Sequence, residues 1–195
     1  MNYQKELENL IKSLDHKPTL LLHSCCAPCS SYVREYLEPY FKITVLYYNP
    51  NIEPIEEYLK RKEEQINFIK KVHPDINVYD VDYENNKYHD TVLGHENDKE
   101  GGSRCYKCYK LRMEKCASIA SNKFEYFGTT LTVSPHKNAT YVNEIGKELE
   151  KKYNSKFLIS DFKKNEGYKR SIVLSKEYNL YRQDYCGCIY SKRND

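Results

Sequence analysis

The chain has 195 residues, 39% hydrophobic and 30% charged, with a formal net charge of +3. A chain of this length and balance can bury a core of its own without staples, which excludes a disordered segment. No apolar run approaches the roughly 18 residues of a membrane span. Met1–Lys17 mixes both signs of charge with no apolar stretch, so no secretory leader is expected and the compartment reads as cytoplasmic.

Met1–Leu14 carries Tyr3, Leu7, Leu10, Ile11 and Leu14 on one side, the stripe of an amphipathic helix. Thr19–His23 is a short apolar strand. It runs into Ser24-Cys25-Cys26-Ala27-Pro28-Cys29-Ser30, where Pro28 suits the first turn of a second helix that ends by Pro39. Lys42–Tyr48 is the next strand, closed by the turn Asn49-Pro50-Asn51. Pro54 opens a helix expected to face the core with Ile55, Tyr58, Leu59, Ile66, Ile69 and Val72. Ile76–Val81 is a third strand. Tyr83–Arg104 is polar and reads as a loop or small excursion. Cys105–Cys108 begins a further helix through Leu111, Met113 and Ile119. Strands Glu125–Thr130 and Lys156–Ser160 bracket a helix over Asn138–Tyr153. A last helix covers Tyr168–Tyr178, and a tail near residues 181–191 carries Cys186-Gly187-Cys188.

Alternating strands and helices predict an α/β fold with a mostly parallel sheet, organised as a single domain over residues 1–195. Sites in such sheets form outside the carboxyl ends of the strands. His23–Cys29, Asn49–Asn51, Thr129–Lys137 and Asp161–Lys164 each follow a predicted strand, so one fold brings them to one rim.

Eight cysteines without a leader point to metal or redox chemistry, since structural disulfides are rare in a reducing compartment. Seven fall in three tight groups: Cys25, Cys26 and Cys29; Cys105 and Cys108; Cys186 and Cys188. Thiolates are the soft ligands of zinc and iron–sulfur clusters. A helix N-terminus favours the ionised thiols of the first group. Seven thiols exceed one tetrahedral ion; four plus three fits a cube and a second metal with an open position, or two zinc sites. Cys116 stands alone and reads as a buried small hydrophobe. His23–Tyr32 contains no glycine, so the phosphate loop that a nucleotide-binding α/β domain places after its first strand is missing.

The motifs together resemble the cobalamin-independent epoxyqueuosine reductases of the QueH type, from about Leu20 to Ser191. The likeness rests on His23-Ser-Cys25-Cys26-Ala-Pro-Cys29, Tyr48-Asn49-Pro50-Asn51-Ile52, Glu57-Tyr58 with Arg61, and Gly102-Ser-Arg104-Cys105 through Cys108-Tyr109. It continues through Thr129-Thr130-Leu131, Ser134-Pro135-His136-Lys137, Asp161-Phe162-Lys163-Lys164, Gly167-Tyr168, Ser171, and Tyr181-Arg182-Gln183 into Tyr185-Cys186-Gly187-Cys188.

The resemblance implies a Rossmann-like fold with its metal centre at the carboxyl ends of the strands. It implies reduction of the epoxide of epoxyqueuosine to queuosine at the tRNA wobble position, the final step of queuosine biosynthesis. A [4Fe-4S] cluster and an adjacent metal ion, iron, come with it, as do a tRNA partner and a separate electron donor. Family members can carry aspartate where Cys29 stands, which assigns Cys29 to the second metal with Cys186 and Cys188. The cluster then takes Cys25, Cys26, Cys105 and Cys108. For the proton that the departing oxygen needs, Tyr109, Tyr185, Glu57 and Asp161 are the candidates. Arg104, Arg112, Lys137, Lys163, Lys164, Arg170 and Arg182 are candidate phosphate contacts. Asn49, Asn51 and Gln183 are candidates to read a flipped-out base. Arg61 belongs to the substrate-binding set, though it and Arg104 also suit pairing with Glu57 or Glu100. His95 and His136 read as surface histidines, and His23 as a core residue beside the thiols.

Three other functions compete: a zinc-stabilised RNA-binding module without redox activity, a thiol–disulfide enzyme using Cys105 and Cys108, and an ATP-using sulfur-transferring tRNA modifier. The second leaves five grouped cysteines unexplained, and the third lacks its phosphate loop.

Overall fold

A computed structural model describes residues 2–192; Met1 and residues 193–195 lie outside it. Five strands, β1 (Thr19–His23), β2 (Lys42–Tyr47), β3 (Asn77–Asp80), β4 (Tyr126–Thr129) and β5 (Lys156–Phe157), form one sheet in the order β3-β2-β1-β4-β5. Every pairing is parallel. The fold is α/β, as the alternation predicts.

β1 lies at the centre, and Leu20, Leu21 and Leu22 are all buried because both faces of a parallel sheet are covered. On one face Leu20 and Leu22 pack with Leu7 of α1 (Tyr3–Lys12), Val33 and Leu37 of α2 (Ala27–Leu37), Phe68 and Ile69 of α3 (Ile55–Val72), and Leu174 of the last helix. On the other, Leu21 and Phe127 pack with Met113, Cys116 and Ala117 of a helix over Ser103–Ala120, and with Val142, Ile145 and Leu149 of one over Ala139–Lys152. In the latter helix Gly146 is required by contact: an added Cβ would lie 2.3 Å from the Phe157 ring.

The chain order reverses between β1 and β4. There the segments after the two strands part and leave a crevice beyond their carboxyl ends.

Two expectations need correction. Tyr83–Arg104 is not wholly loop, because Asn85–Val92 forms a helix, α4. Its apolar face is a single i, i+4 pair, Tyr88 and Val92, too short a stripe to register as periodic. The Ser103–Ala120, Ala139–Lys152 and Gly167–Glu177 helices are therefore α5, α6 and α7. In α3, Ile55 and Leu59 face solvent at 50% and 52% exposure. The inward stripe instead runs Tyr58, Arg61, Gln65, Phe68 and Ile69, its two polar members held inside by specific partners. Among the described residues, no helix is long and apolar enough to cross a membrane.

Candidate metal centre

The first thiol group follows from how β1 ends. Past His23 the chain stays pinned between strands: Ser24 N donates to Leu46 O at 2.9 Å, and Thr130 N to His23 O at 2.9 Å. Cys26 is the extended N-cap of α2, and Pro28 sits in its first turn. Under the turn, Gln65 Oε1 accepts from Ser24 Oγ at 2.5 Å and Ser30 Oγ at 3.0 Å. The Sγ atoms of Cys25, Cys26 and Cys29 thereby come within 4.8 Å of one another.

The thiols of Cys26 and Cys29 hold Cys25 well below the ordinary thiol range, with the nearby Arg112 charge adding to them. Its own thiolate pushes Cys26 up to about 12 and Cys29 well above its usual value, burial adding to both. The polypeptide alone supports one negative charge among the three. A bound cation is what lets the others ionise.

Cys105 and Cys108 lie in the first turns of α5, where Gly101 N donates to Cys105 Sγ at 3.2 Å. Cys108 packs with Cys188 against Tyr88 and Val92 of α4. Burial pushes the Cys108 thiol up to about 12; Arg112 opposes this, and Cys186 and Cys188 add to it.

Cys186 and Cys188 arrive on a tail strapped to α3. Arg61 Nε pairs with Glu57 at 2.6 Å, while Nη1 and Nη2 donate to the carbonyls of Cys186 and Tyr185 at 3.3 and 3.4 Å. Tyr181 OH donates to the Glu57 carboxylate at 3.2 Å, Tyr185 OH to Glu53 O at 2.7 Å, and Glu53 N to Gly187 O at 2.9 Å. Gly187 has φ +117°, and a Cβ there would lie 2.9 Å from Ile52 Cγ1, so only glycine fits between the two thiols.

The crevice holds a cavity of about 270 Å³ lined by Cys25, Cys26, Cys29 and Cys186 together with Arg112 and Lys137. Lys137 Nζ donates to Cys186 Sγ at 2.7 Å. Arg112 Nη1 donates to Asn49 Oδ1 at 3.3 Å, and Asn49 Nδ2 to Ser24 O at 2.9 Å. Seven free thiols, buried or half-buried, with two buried cations among them, make a donor set suited to an iron–sulfur cluster and poorly suited to a hard ion.

His23 stays outside the ligand set. Its ring contacts Thr129 Oγ1 at 2.9 Å and Tyr48 O at 3.1 Å, so Nε2 carries the proton that a carbonyl requires. Burial and the Arg112 charge lower it to about 4, leaving it neutral at pH 7. Cys116 is a core residue, its Sγ directed to Leu21 O at 3.5 Å.

A profile of the family described as "Epoxyqueuosine reductase QueH" matches residues 20–194. A relative of that name from Staphylococcus epidermidis is 41% identical, covering 98% of this chain and 84% of its own. One from Streptococcus pyogenes serotype M1 is 40% identical over 99% and 79%, and one from Thermotoga maritima 38% over 89% and 90%. The chain belongs to the epoxyqueuosine reductase QueH family. It is an oxidoreductase. Among solved structures, the U34-tRNA thiolase NcsA from Methanococcus maripaludis with its [4Fe-4S] cluster superposes with a TM-score of 0.58 at 15% identity. It covers 98% of this chain and 67% of that one, and the likeness is one of fold.

Against this family background, several residues expected to touch RNA prove to be internal. Asn49, Asn51, Arg61, Arg104, Arg112 and Lys137 are all buried; of the cations, Arg61, Arg112 and Lys137 line the cavity rather than an open face. Arg61 pairs with Glu57. Arg104 donates from Nη1 to the carbonyls of His95, Glu96 and Asp98, which organises the loop before α5, and Glu100 is not its partner. Lys164, Arg170 and Arg182 are exposed and Lys163 half-buried. Arg170 pairs with Glu35 at 2.7 Å, and Lys163 with Asp161 at 2.6 Å. Gln183 lines the cavity, its Oε1 without a partner among the described residues.

Of the four proton-donor candidates, Glu57, Asp161 and Tyr185 are engaged as above; the buried Tyr109 hydroxyl has no partner. Cys29 sits with Cys25 and Cys26 rather than midway to the tail, although all three share the cavity wall with Cys186. Sequence reasoning missed Tyr88, which no motif flags, and the role of Thr130, whose Oγ1 lies 3.6 Å from Cys25 Sγ. The Thr129-Thr130 pair after a predicted strand was its available signal.

Proposed function

We propose that this chain removes the epoxide oxygen of epoxyqueuosine at the wobble position of tRNA, giving queuosine without cobalamin. The observation that carries this reading is the meeting of Cys25, Cys26 and Cys29 with Cys186 on one cavity beyond the carboxyl ends of β1 and β4, together with the packing of Cys108 against Cys188 in the same tail, in a chain of this family. The change is epoxide plus two electrons and two protons to alkene plus water. When bound, a [4Fe-4S] cluster supplies low-potential electrons, and an adjacent iron ion supplies a Lewis-acid position.

Cys25, Cys26, Cys105 and Cys108 would hold the cluster, and Cys29, Cys186 and Cys188 the second ion. Cys29 is the ligand on which that division is tested, since its Sγ lies within 4.8 Å of the pair assigned to the cluster and proximity alone would group the three. The chain contributes the remaining chemistry through fixed groups. Its cavity lies just below the range of about 300–1,000 Å³ for small-molecule sites, so it admits the reacting part of one extruded nucleoside and excludes a duplex. Leu131 and Val133 give an apolar wall, and Gln183 offers a free acceptor toward the nucleoside. Tyr109, with its hydroxyl unengaged beside Lys137 and Cys186, is the proton source we assign to the departing oxygen. Lys163 and Lys164 are our candidates to meet phosphates outside the cavity, and Arg182 to meet one at its wall. The electrons come from a donor outside the chain.

The test is direct. Anaerobically reconstituted protein, reduced with dithionite and given epoxyqueuosine-containing tRNA, should yield queuosine-containing tRNA by mass spectrometry of nucleosides. Absence of product with a full complement of iron and sulfide ends the proposal. Zinc without acid-labile sulfide in protein isolated anaerobically would favour the RNA-binding module instead.

A further inference from the structure

Arg112 is a buried cation whose hydrogen-bond donors are mostly unfilled among the described residues. It lies on α5 four residues beyond Cys108, so one helix face presents both. The residue is 2% exposed, yet Nε and Nη2 have no hydrogen-bond partner among the described residues. Nη1 reaches only the neutral Asn49 amide. The other buried arginines are met by acceptors: Arg34 by Glu38, Arg61 by Glu57, and Arg104 by three carbonyls. A buried guanidinium with unfilled donors is strongly unfavourable, so such a residue marks where further negative charge belongs. The cavity wall that Arg112 shares with Cys25, Cys26, Cys29 and Cys186 shows which anion.

We propose that Arg112 is the fixed counter-charge of the iron centre and sets its reduction potential, a role that rests on the iron–sulfur reading above. An iron–sulfur cube with four thiolate ligands is anionic, and reduction adds a further negative charge. A cation held nearby in a water-poor pocket favours that added electron. Arginine suits the task because it keeps its charge at any working pH. Arg112 shares the cavity wall with thiols of the first and third groups and a helix face with Cys108. Arg112 thus faces thiols of all three groups, while Lys137 is bonded to Cys186 alone. Its burial also removes it from the set of phosphate contacts.

The experiment compares the unsubstituted chain with Arg112→Gln and Arg112→Lys. Each is reconstituted anaerobically, assayed for iron and sulfide, and titrated by spectroelectrochemistry. Arg112→Gln should keep the cluster absorption and titrate at a more negative midpoint potential, and Arg112→Lys should return most of the way. Arg112→Gln with full iron and sulfide at the unsubstituted potential overturns the proposal. If Arg112→Gln fails to load its cluster, loading restored by Arg112→Lys supports the counter-charge. Equal failure of both overturns it, because shape rather than charge is then what matters. An unsubstituted chain that takes up no sulfide removes the underlying reading before any variant is compared.

Discussion

The two ends of the sheet treat charge in opposite ways. At the amino ends of β1, β4 and β5 a wide cleft is lined by His16, Glu125, Glu150 and Lys156. Its charged groups meet one another in the open: His16 contacts Asp15 at 2.7 Å and Glu125 at 2.8 Å, and Glu125 caps Thr19 N at 3.1 Å, with the neutral Ser155 Oγ, buried and unpartnered among the described residues, the exception. At the carboxyl ends, Arg112, Tyr109 and Asn51 are buried with polar atoms left unpaired. Satisfied polar groups in water are what any surface shows. Unsatisfied ones in the interior are costly and persist where a ligand completes them. The difference separates the end that holds the sheet together from the end where the proposed centre lies.

The comparison breaks most readily at the thiols. Cys25→Ser should strip the cluster and reduce turnover to background, whereas Cys116→Ala should keep full iron and sulfide and cost about 1 kcal/mol of stability. Iron and sulfide assays with thermal unfolding check both. Cys29→Ser sharpens the division of ligands: cluster absorption should remain while the second iron is lost, and a loss of the cluster absorption itself would refute the division. Tyr109→Phe should lower kcat by about 100-fold or more with the cluster spectrum unchanged, the size of effect expected of a proton donor.

Arg61→Gln removes the cation from the half-buried Glu57, which keeps only the Tyr181 hydroxyl, so stability should fall by about 1–2 kcal/mol. Hydrogen exchange should quicken over residues 181–188, the segment that Arg61 straps to α3. The smallest effect belongs to the amino end. Asp15, followed by Glu125, raises the His16 imidazole above its ordinary 6.5. The stabilisation is fully present below about pH 6.5 and fades as pH rises through the raised value. His16→Gln should abolish that slight slope in melting temperature between pH 6 and 8 and leave turnover untouched.

Much of this was legible along the chain. Thr19–His23 is apolar without interruption because a central parallel strand is buried on both faces, and the structure places β1 over those residues. Pro28 marks the start of α2 because proline suits a first turn. The inward stripe of α3 was misjudged, since hydrophobicity predicted Ile55 and Leu59 where the fold selected Arg61 and Gln65. Those two are inside because Gln65 supports the thiol turn and Arg61 the tail, contacts 35 to 125 residues away in sequence. α4 escaped notice because its burial depends on Cys108 and Cys188, which no local window contains. Arg112 and Arg104 carried a surface reading because a basic residue names its charge but not its depth.

The amino-acid order by itself determined the α/β alternation, the family, the grouping of the cysteines and the absence of a phosphate loop, since these depend on residue type and short-range spacing. Only the tertiary structure decided which arginines face inward, which tyrosine keeps a free hydroxyl, and that Cys29 lies against Cys25 and Cys26. Depth and pairing are set by segments that meet through the sheet and the α3 strap, and that meeting has no signature in any one stretch of chain.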